Sequence, residues 1–252
     1  MSLKPVNTTF PDGVLKAVLI PHLNEFDFEV QIYSRMEYES ETFHWLATRS
    51  YRSVVEIGSN VGFFSIYCAK RFPDAVVYAF EPSRAAFSRL LANIDLNPCS
   101  NLFAFNCAIF SQSGFLNFHE PEGHLTNGSL DPSFASIFSS QVVSTPVPVL
   151  AASAMETFFE RAPVLVKIDV EGAEPEVLRS LAELIERHRP DMLIEVLSVT
   201  EQALNEFELF RDGSYRVFSV RPEGLVAQER FTATQWRNYV LLPAEASATR
   251  PQ

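Results

Sequence analysis

Nowhere in this chain do lysine and arginine cluster: 20 basic residues face 31 acidic ones, for a formal charge of −11. A surface that neutralises phosphates needs grouped cations, so nucleic acid is not an expected partner. Cysteine is scarce. Cys68, Cys99 and Cys107 are odd in number and have no metal-ligand spacing, which excludes a disulfide framework and fits a reduced, cytoplasmic setting. No uncharged apolar run approaches ~18 residues, and Lys4, Asp12 and Lys16 stand where a signal sequence would need an apolar core, so no membrane span is expected. The phosphate-binding pattern Gly-x-Gly-x-x-Gly is missing too.

What stands in its place is Val54-Val55-Glu56-Ile57-Gly58-Ser59-Asn60-Val61-Gly62-Phe63-Phe64-Ser65, a buried strand, a glycine-broken turn and a helix start. Val76 to Phe80 form a second buried strand, ending at Glu81-Pro82. This opens an α/β nucleotide-type site, in which a carboxylate after the second strand holds a ribose diol. The Gly-x-x-x-Gly spacing, with polar side chains in the turn and Glu56 at its mouth, suits S-adenosylmethionine better than a dinucleotide pyrophosphate. The former has an ammonium, a carboxylate and a sulfonium and no phosphate.

With 47% apolar residues in 252, the chain can build a full core. Residues 14–33 read as a hairpin, with Phe26, Phe28, Val30 and Ile32 alternating against polar neighbours, and 39–49 as a helix. Strands are expected at 53–57, 75–80 and 102–107, with helices at 61–71 and 83–95, the latter capped by Ser83. Residues 115–118 suggest a short strand; 119–140, rich in Ser, Gly, Pro and Asn, suggest a long irregular lid. A very apolar strand at 164–168 ends at Asp169, followed by a helix at 175–188, a strand at 192–196, a helix at 200–210 and strands at 215–220 and 238–242. The alternation predicts a mostly parallel sheet with helices on both faces. The expected organisation is an N-terminal hairpin and helix extension at 1–50, one main domain at 51–243 and a frayed tail at 244–252.

Three segments together resemble the FkbM-type methyltransferases: Glu56 to Ser65, Ala79-Phe80-Glu81-Pro82, and Lys167-Ile168-Asp169-Val170-Glu171-Gly172-Ala173-Glu174. Asn106-Cys107-Ala108 with Gly114, and Arg189-Pro190, are similar to weaker family elements. The resemblance spans roughly 37–242. One departure is that Leu150-Ala151-Ala152-Ser153 replaces the family's Leu-Asp, so that carboxylate is missing.

The resemblance implies a Rossmann-like class I methyltransferase fold, S-adenosylmethionine as cofactor and a small-molecule or glycan hydroxyl as acceptor. It implies that Glu81 takes the ribose diol and that Gly58 and Gly62 let the backbone approach the cofactor. Ser59, Asn60 and Glu56 then serve its methionyl end, Phe63 and Pro82 wall the adenosine, and Ala108 and Asn106 sit near the adenine. Asp169 is the first candidate for general base or orienting group, and also a candidate contact for the cofactor's ammonium; Glu171 and Glu195 follow as bases, and His119 and His124 are loop candidates. Glu174 reads as a helix N-terminal carboxylate. No metal is expected, for want of a compact ligand spacing. A non-catalytic cofactor-binding scaffold and a nicotinamide-dependent oxidoreductase are the competing readings.

Overall fold

The computed structural model describes residues 5–20, 39–124 and 126–244. In chain order, β1 (Val6–Thr9) and β2 (Lys16–Leu19) form a hairpin, followed by α1 (Ser40–Ala47). Next come β3 (Ser53–Ile57), α2 (Phe63–Arg71), β4 (Val76–Phe80), α3 (Arg84–Leu96) and β5 (Leu102–Phe105). An insert follows, made of β6 (Ala108–Phe110), β7 (Gly114–Pro121), α4 (Pro132–Phe138) and β8 (Val142–Ala151). The chain then continues through α5 (Glu156–Phe159), β9 (Val164–Ile168), α6 (Glu174–His188) and β10 (Asp191–Glu195). It closes with α7 (Glu201–Asn205), α8 (Glu208–Arg211), β11 (Tyr215–Arg221), β12 (Gly224–Gln228) and β13 (Asn238–Pro243).

The main sheet has the order β12-β11-β13-β10-β9-β3-β4-β5. β3, β4, β5, β9 and β10 are parallel, while β13 runs antiparallel to both β10 and β11. β3 and β9 are buried at every position, as strands covered on both faces must be. The chain runs outward from β3 to β4 and β5 on one side, then returns to build β9 and β10 on the other. That reversal between β3 and β9 is where an open α/β sheet leaves a crevice at its carboxyl ends.

The helices cover the sheet through ordinary patterning. α6 buries Val177, Leu178, Leu181, Leu184 and Ile185, a stripe at helical spacing, and carries Glu174 and Glu176 in its first turn. Ser83 caps α3 as expected, its hydroxyl accepting from the Ala86 N–H at 3.3 Å. One position of α3 departs from the apolar pattern: Leu91 is exposed, whereas Asn93 is fully buried.

That asparagine explains how the N-terminal hairpin docks. Asn93 Oδ1 accepts from the Ile20 N–H at 2.6 Å, and its amide donates to the carbonyls of Ile20 and Val61. Asn97 does the same for both backbone groups of Val18. Two side-chain amides thus bond β2 as a neighbouring strand would. The hairpin is therefore β1 with β2; the strand expected at 26–32 lies outside the described residues, as do 245–252 of the expected tail.

The middle of the chain is more ordered than its composition suggested. β7 reaches Pro121, α4 occupies 132–138, and β8 pairs with β7 along eight residues and with β6 along three. Pro146 and Pro148 concealed β8 in the sequence. Both fall opposite β7 residues in the same ladder parity, so their missing N–H groups point toward the other side, where β6 pairs only with 149–151. β12 was missed as well, and the expected helix at 200–210 is two short helices. Among the described residues no helix is long and apolar enough to cross a membrane.

Asn93→Ala leaves the Ile20 N–H and the Val61 carbonyl buried without their partner. It should lower stability by about 3 kcal/mol in urea unfolding, the cost of buried groups left unbonded.

Candidate active site

The crevice holds a cavity of about 460 Å³, lined by the β3–α2 turn, the end of β4, the start of β6, the loop after β9 and part of the insert. Its shape depends on the turn. Gly58 has φ +90°, and a Cβ there would come within 1.7 Å of the Asp169 carbonyl oxygen. The Gly58 and Ser59 N–H groups donate to the Phe80 carbonyl, while the Asp169 N–H donates to Ile57. The ends of three strands are thereby drawn together. Gly62, at φ +87°, ends the turn with the Leu90 side chain where a Cβ would be. Asn60 also takes a left-handed conformation (φ 48°), one that asparagine tolerates better than most residues.

Glu81 is buried at the end of β4. Its Oε2 accepts from the Asn60 N–H at 2.7 Å and its Oε1 from the Ser83 N–H at 2.8 Å. Burial pushes its pKa up to about 7, against the opposing pull of these two bonds. A carboxylate has about four acceptor sites, so two remain for donors in the cavity. Ser83 is itself tied to the insert, its hydroxyl donating to Glu120 at 2.6 Å. Pro82, Phe63 and Ala108 line the cavity, and Phe63 also packs against Phe10 and Phe43 in the core. Asn106 departs from its expected place. Its amide donates to the carbonyls of Glu81 and Pro82, bracing the β4 end, and it is not among the residues that line the cavity.

The inner end is acidic. Glu56 is buried on β3, directly opposite Lys167 on β9. Lys167 Nζ lies 3.4 Å from Glu56 Oε1 and 2.8 Å from Asp169 Oδ2, and 5.2 Å from the centre of the Phe64 ring. The Ser65 hydroxyl donates to the other oxygen of Glu56. Burial raises the pKa of Glu56, offset in part by Lys167. Glu39, just before α1, also lines the cavity, and burial raises its pKa too.

Beyond Asp169 the chain turns through Glu171 (φ 54°) and Gly172 (φ +99°), where a Cβ on Gly172 would come within 3.0 Å of the Phe134 ring of α4. Glu174 holds this turn: Oε1 accepts from the N–H groups of Val170 and Gly172 at 3.0 and 3.2 Å. It is a loop brace, fully buried and away from the cavity. Glu171 and Glu195 are partly buried, and their pKa values rise through loss of hydration first and then through repulsion from Asp169. Arg237 Nη1 stands 3.8 Å from Glu195.

One carboxylate oxygen each from Asp169, Glu171 and Glu195 lies within 4.8 Å of the others. Such a cluster is close enough for one divalent ion to bridge, a grouping that sequence spacing did not reveal because β10 supplies its third member. Proximity alone does not define a metal centre, and none is assigned.

The two histidines separate. His124 lines the cavity beside Phe138 of α4. His119 does not: it sits on β7, with Nδ1 2.8 Å from the Ser144 hydroxyl of β8. The expected lid at 119–140 supplies Gly123, His124, Thr126, Asn127, Gly128, Leu130 and Phe138 to the cavity wall. Lys167 and Glu39 were not picked out from the sequence. The available signal for Lys167 was a single charge inside an otherwise apolar strand; Glu39 looked like an ordinary helix start.

This strand order, with the reversed β13 beside β10 and a glycine turn facing an acidic strand end, is that of a class I methyltransferase. The chain belongs to the FkbM family: the model for the methyltransferase FkbM domain matches residues 56–223. Membership makes it a methyltransferase with S-adenosylmethionine as methyl donor, which displaces the nicotinamide reading. It is 27% identical over 203 residues to methyltransferase sdnD of Sordaria araneosa, covering 79% of this chain and 69% of that one. It is 30% identical over 131 residues to the hexuronic acid methyltransferase AglP of Haloferax volcanii, covering 52% of this chain and 50% of that one. The crystal structure of methyltransferase FkbM from Methylobacillus flagellatus KT shares the fold, with a TM-score of 0.50 at 17% identity; the match covers 86% of this chain and 55% of that one.

Glu174 supplies a pH test. Its folded pKa is about 7 against an ordinary 4.5, raised by burial. The folded state therefore binds the extra proton, and its contribution to stability is full below pH 4.5 and is lost as pH rises through about 7. Glu174→Gln should flatten the fall in melting temperature of the cofactor-free protein across that window.

Proposed function

We propose that this protein methylates a hydroxyl group on a sugar or natural-product acceptor. The observation that carries the reading is one cavity with two differently equipped ends. Glu81, fixed by two backbone N–H groups, stands at one; Asp169 and Glu171, with Glu195 behind them, stand at the other. The residues fit S-adenosylmethionine. Glu81 would take its ribose diol, Pro82, Ala108 and Ile109 would wall the adenosine, and Gly58, Ser59 and Asn60 would meet its methionyl end, with Glu56 beneath.

S-adenosylmethionine supplies a methyl group that its sulfonium has already made reactive. The chain's own contribution is alignment in a water-poor pocket and removal of the acceptor proton. For the second task the carboxylates divide. Asp169 is engaged by Lys167 at 2.8 Å, whereas Glu171 and Glu195 carry pKa values raised by burial first and then by repulsion from Asp169. Paired groups whose environments differ in this way mark acid and base roles. Glu171, on the cavity wall, is the proton acceptor; Asp169, held by Lys167, faces the cofactor's amino-acid arm. A sugar-type acceptor is further supported by the hexuronic acid methyltransferase named above.

The decisive experiment supplies isotopically labelled S-adenosylmethionine with a panel of neutral sugars, uronic acids and phenolic or aliphatic alcohols, and locates the transferred methyl. Transfer to nitrogen or carbon alone would overturn the O-methyl reading, and cofactor binding without transfer to any acceptor would favour the scaffold. With an active acceptor, Glu171→Gln should lower saturated turnover by ~10²–10⁴-fold, the usual contribution of general base catalysis.

Glu81 gives a test that needs no acceptor. The diol donates to the ionised carboxylate, so S-adenosylhomocysteine should bind better as pH rises through about 7 and reach a plateau above it. Below that pH its affinity should fall by up to ~10-fold per pH unit. Glu81→Gln should abolish this dependence and weaken binding at pH 8 by roughly 1.5–3 kcal/mol in calorimetry.

A further inference from the structure

Lys167 lies buried under the inner end of the cavity, where it contributes neither to ribose binding nor to proton removal. Its surroundings come from four elements. Glu56 faces it from β3 at 3.4 Å, Asp169 from the end of its own strand at 2.8 Å, and Glu39 from the segment before α1. α2 presents the Phe64 ring and the buried Cys68 thiol. Farther out, Glu171 and Glu195 stand beyond Asp169, with Arg237 beside Glu195.

Two consequences follow from this arrangement. Glu56 and Asp169 belong to different strands and would repel each other; the ammonium between them holds both in place. Even so, the carboxyl groups of Glu39, Glu56 and Asp169 outnumber the single lysine, so the inner end has acceptor oxygens left over for a second cation. The cofactor's amino-acid arm ends in such a cation.

We propose that Lys167 is a positioning residue for the amino-acid end of S-adenosylmethionine, locking the Glu56 and Asp169 carboxylates side by side so that they receive the cofactor's ammonium. The inference rests on the reading of this cavity as the cofactor site. Lys167 touches the carboxylates rather than the ligand, so its substitution should alter recognition of the arm and leave recognition of the nucleoside intact.

Two probes separate these effects: S-adenosylhomocysteine, and 5′-methylthioadenosine, which keeps the nucleoside and the sulfur and lacks the arm. In calorimetry on the full chain, Lys167→Met should weaken S-adenosylhomocysteine by ~10–100-fold, the effect of disordering bonds to a charged group. It should change 5′-methylthioadenosine by less than about 2-fold, and Lys167→Arg should recover most of the lost affinity. If Lys167→Met does not fold, Lys167→Gln, which keeps donors without the charge, carries the same comparison. Parallel loss of both ligands would reduce Lys167 to a structural residue and overturn the proposal, as would unchanged S-adenosylhomocysteine binding. Failure of the unaltered protein to bind either probe would instead overturn the reading of the cavity itself.

Discussion

Everything in this site depends on one contact between backbones: the turn after β3 pressed against the Asp169 carbonyl, with no room for a side-chain carbon at Gly58. Loops at the ends of neighbouring parallel strands usually diverge. Here the glycine, its N–H bonded to Phe80, and the Asp169 N–H bonded to Ile57 bring three strand ends within reach of one small molecule. Glu81 and the acidic inner end then face a common space. A residue with a Cβ at position 58 would force the two loops apart and separate the two halves of the chemistry.

The charge arrangement follows from that proximity. Closely packed strand ends place Glu56, Asp169, Glu171 and Glu195 in one neighbourhood, and burial makes the ionised forms of the three glutamates costly. Lys167 offsets part of this for Glu56 and Asp169, and Arg237, 3.8 Å from Glu195, part of it beyond them. The protein without cofactor therefore holds an incompletely balanced group of acids, and a sulfonium-bearing ligand with an ammonium arm is well matched to it. Electrostatic imbalance is consistent with binding function here, since removing such charges often stabilises a fold.

Much of this was legible in the sequence, for identifiable reasons. The parallel core was readable because its strands are continuous apolar runs and its helices keep their stripes. Glu81 and Gly58 were readable because local motifs place them at strand ends. Residues whose meaning depends on distant partners were not readable. Lys167 meets Glu56 only through the β3–β9 pairing, and Glu39 reaches the cavity from the segment before α1, whereas Glu195 was picked out from its place at a strand end. Asn106 and His119 were plausible ligand contacts by position, yet hydrogen bonds to the β4 end and to Ser144 engage them elsewhere. The insert was obscured by its own prolines, which composition marks as loop and ladder parity permits in a strand.

The insert also leaves and rejoins the main domain at nearly the same point. β6 and β8 run side by side, with Ala108 opposite Val149 and Phe110 opposite Ala151, and the excursion between them has its own small core around Phe118 and Val147. Its departing and returning ends are thus neighbours, so its length and contents can change without shifting the strands that carry Glu56, Glu81 and Asp169. A change of length confined to the tip between β7 and β8 would therefore reshape the part of the cavity wall given by Gly123, His124, Thr126 to Gly128 and Leu130 while the strand ends below kept their spacing.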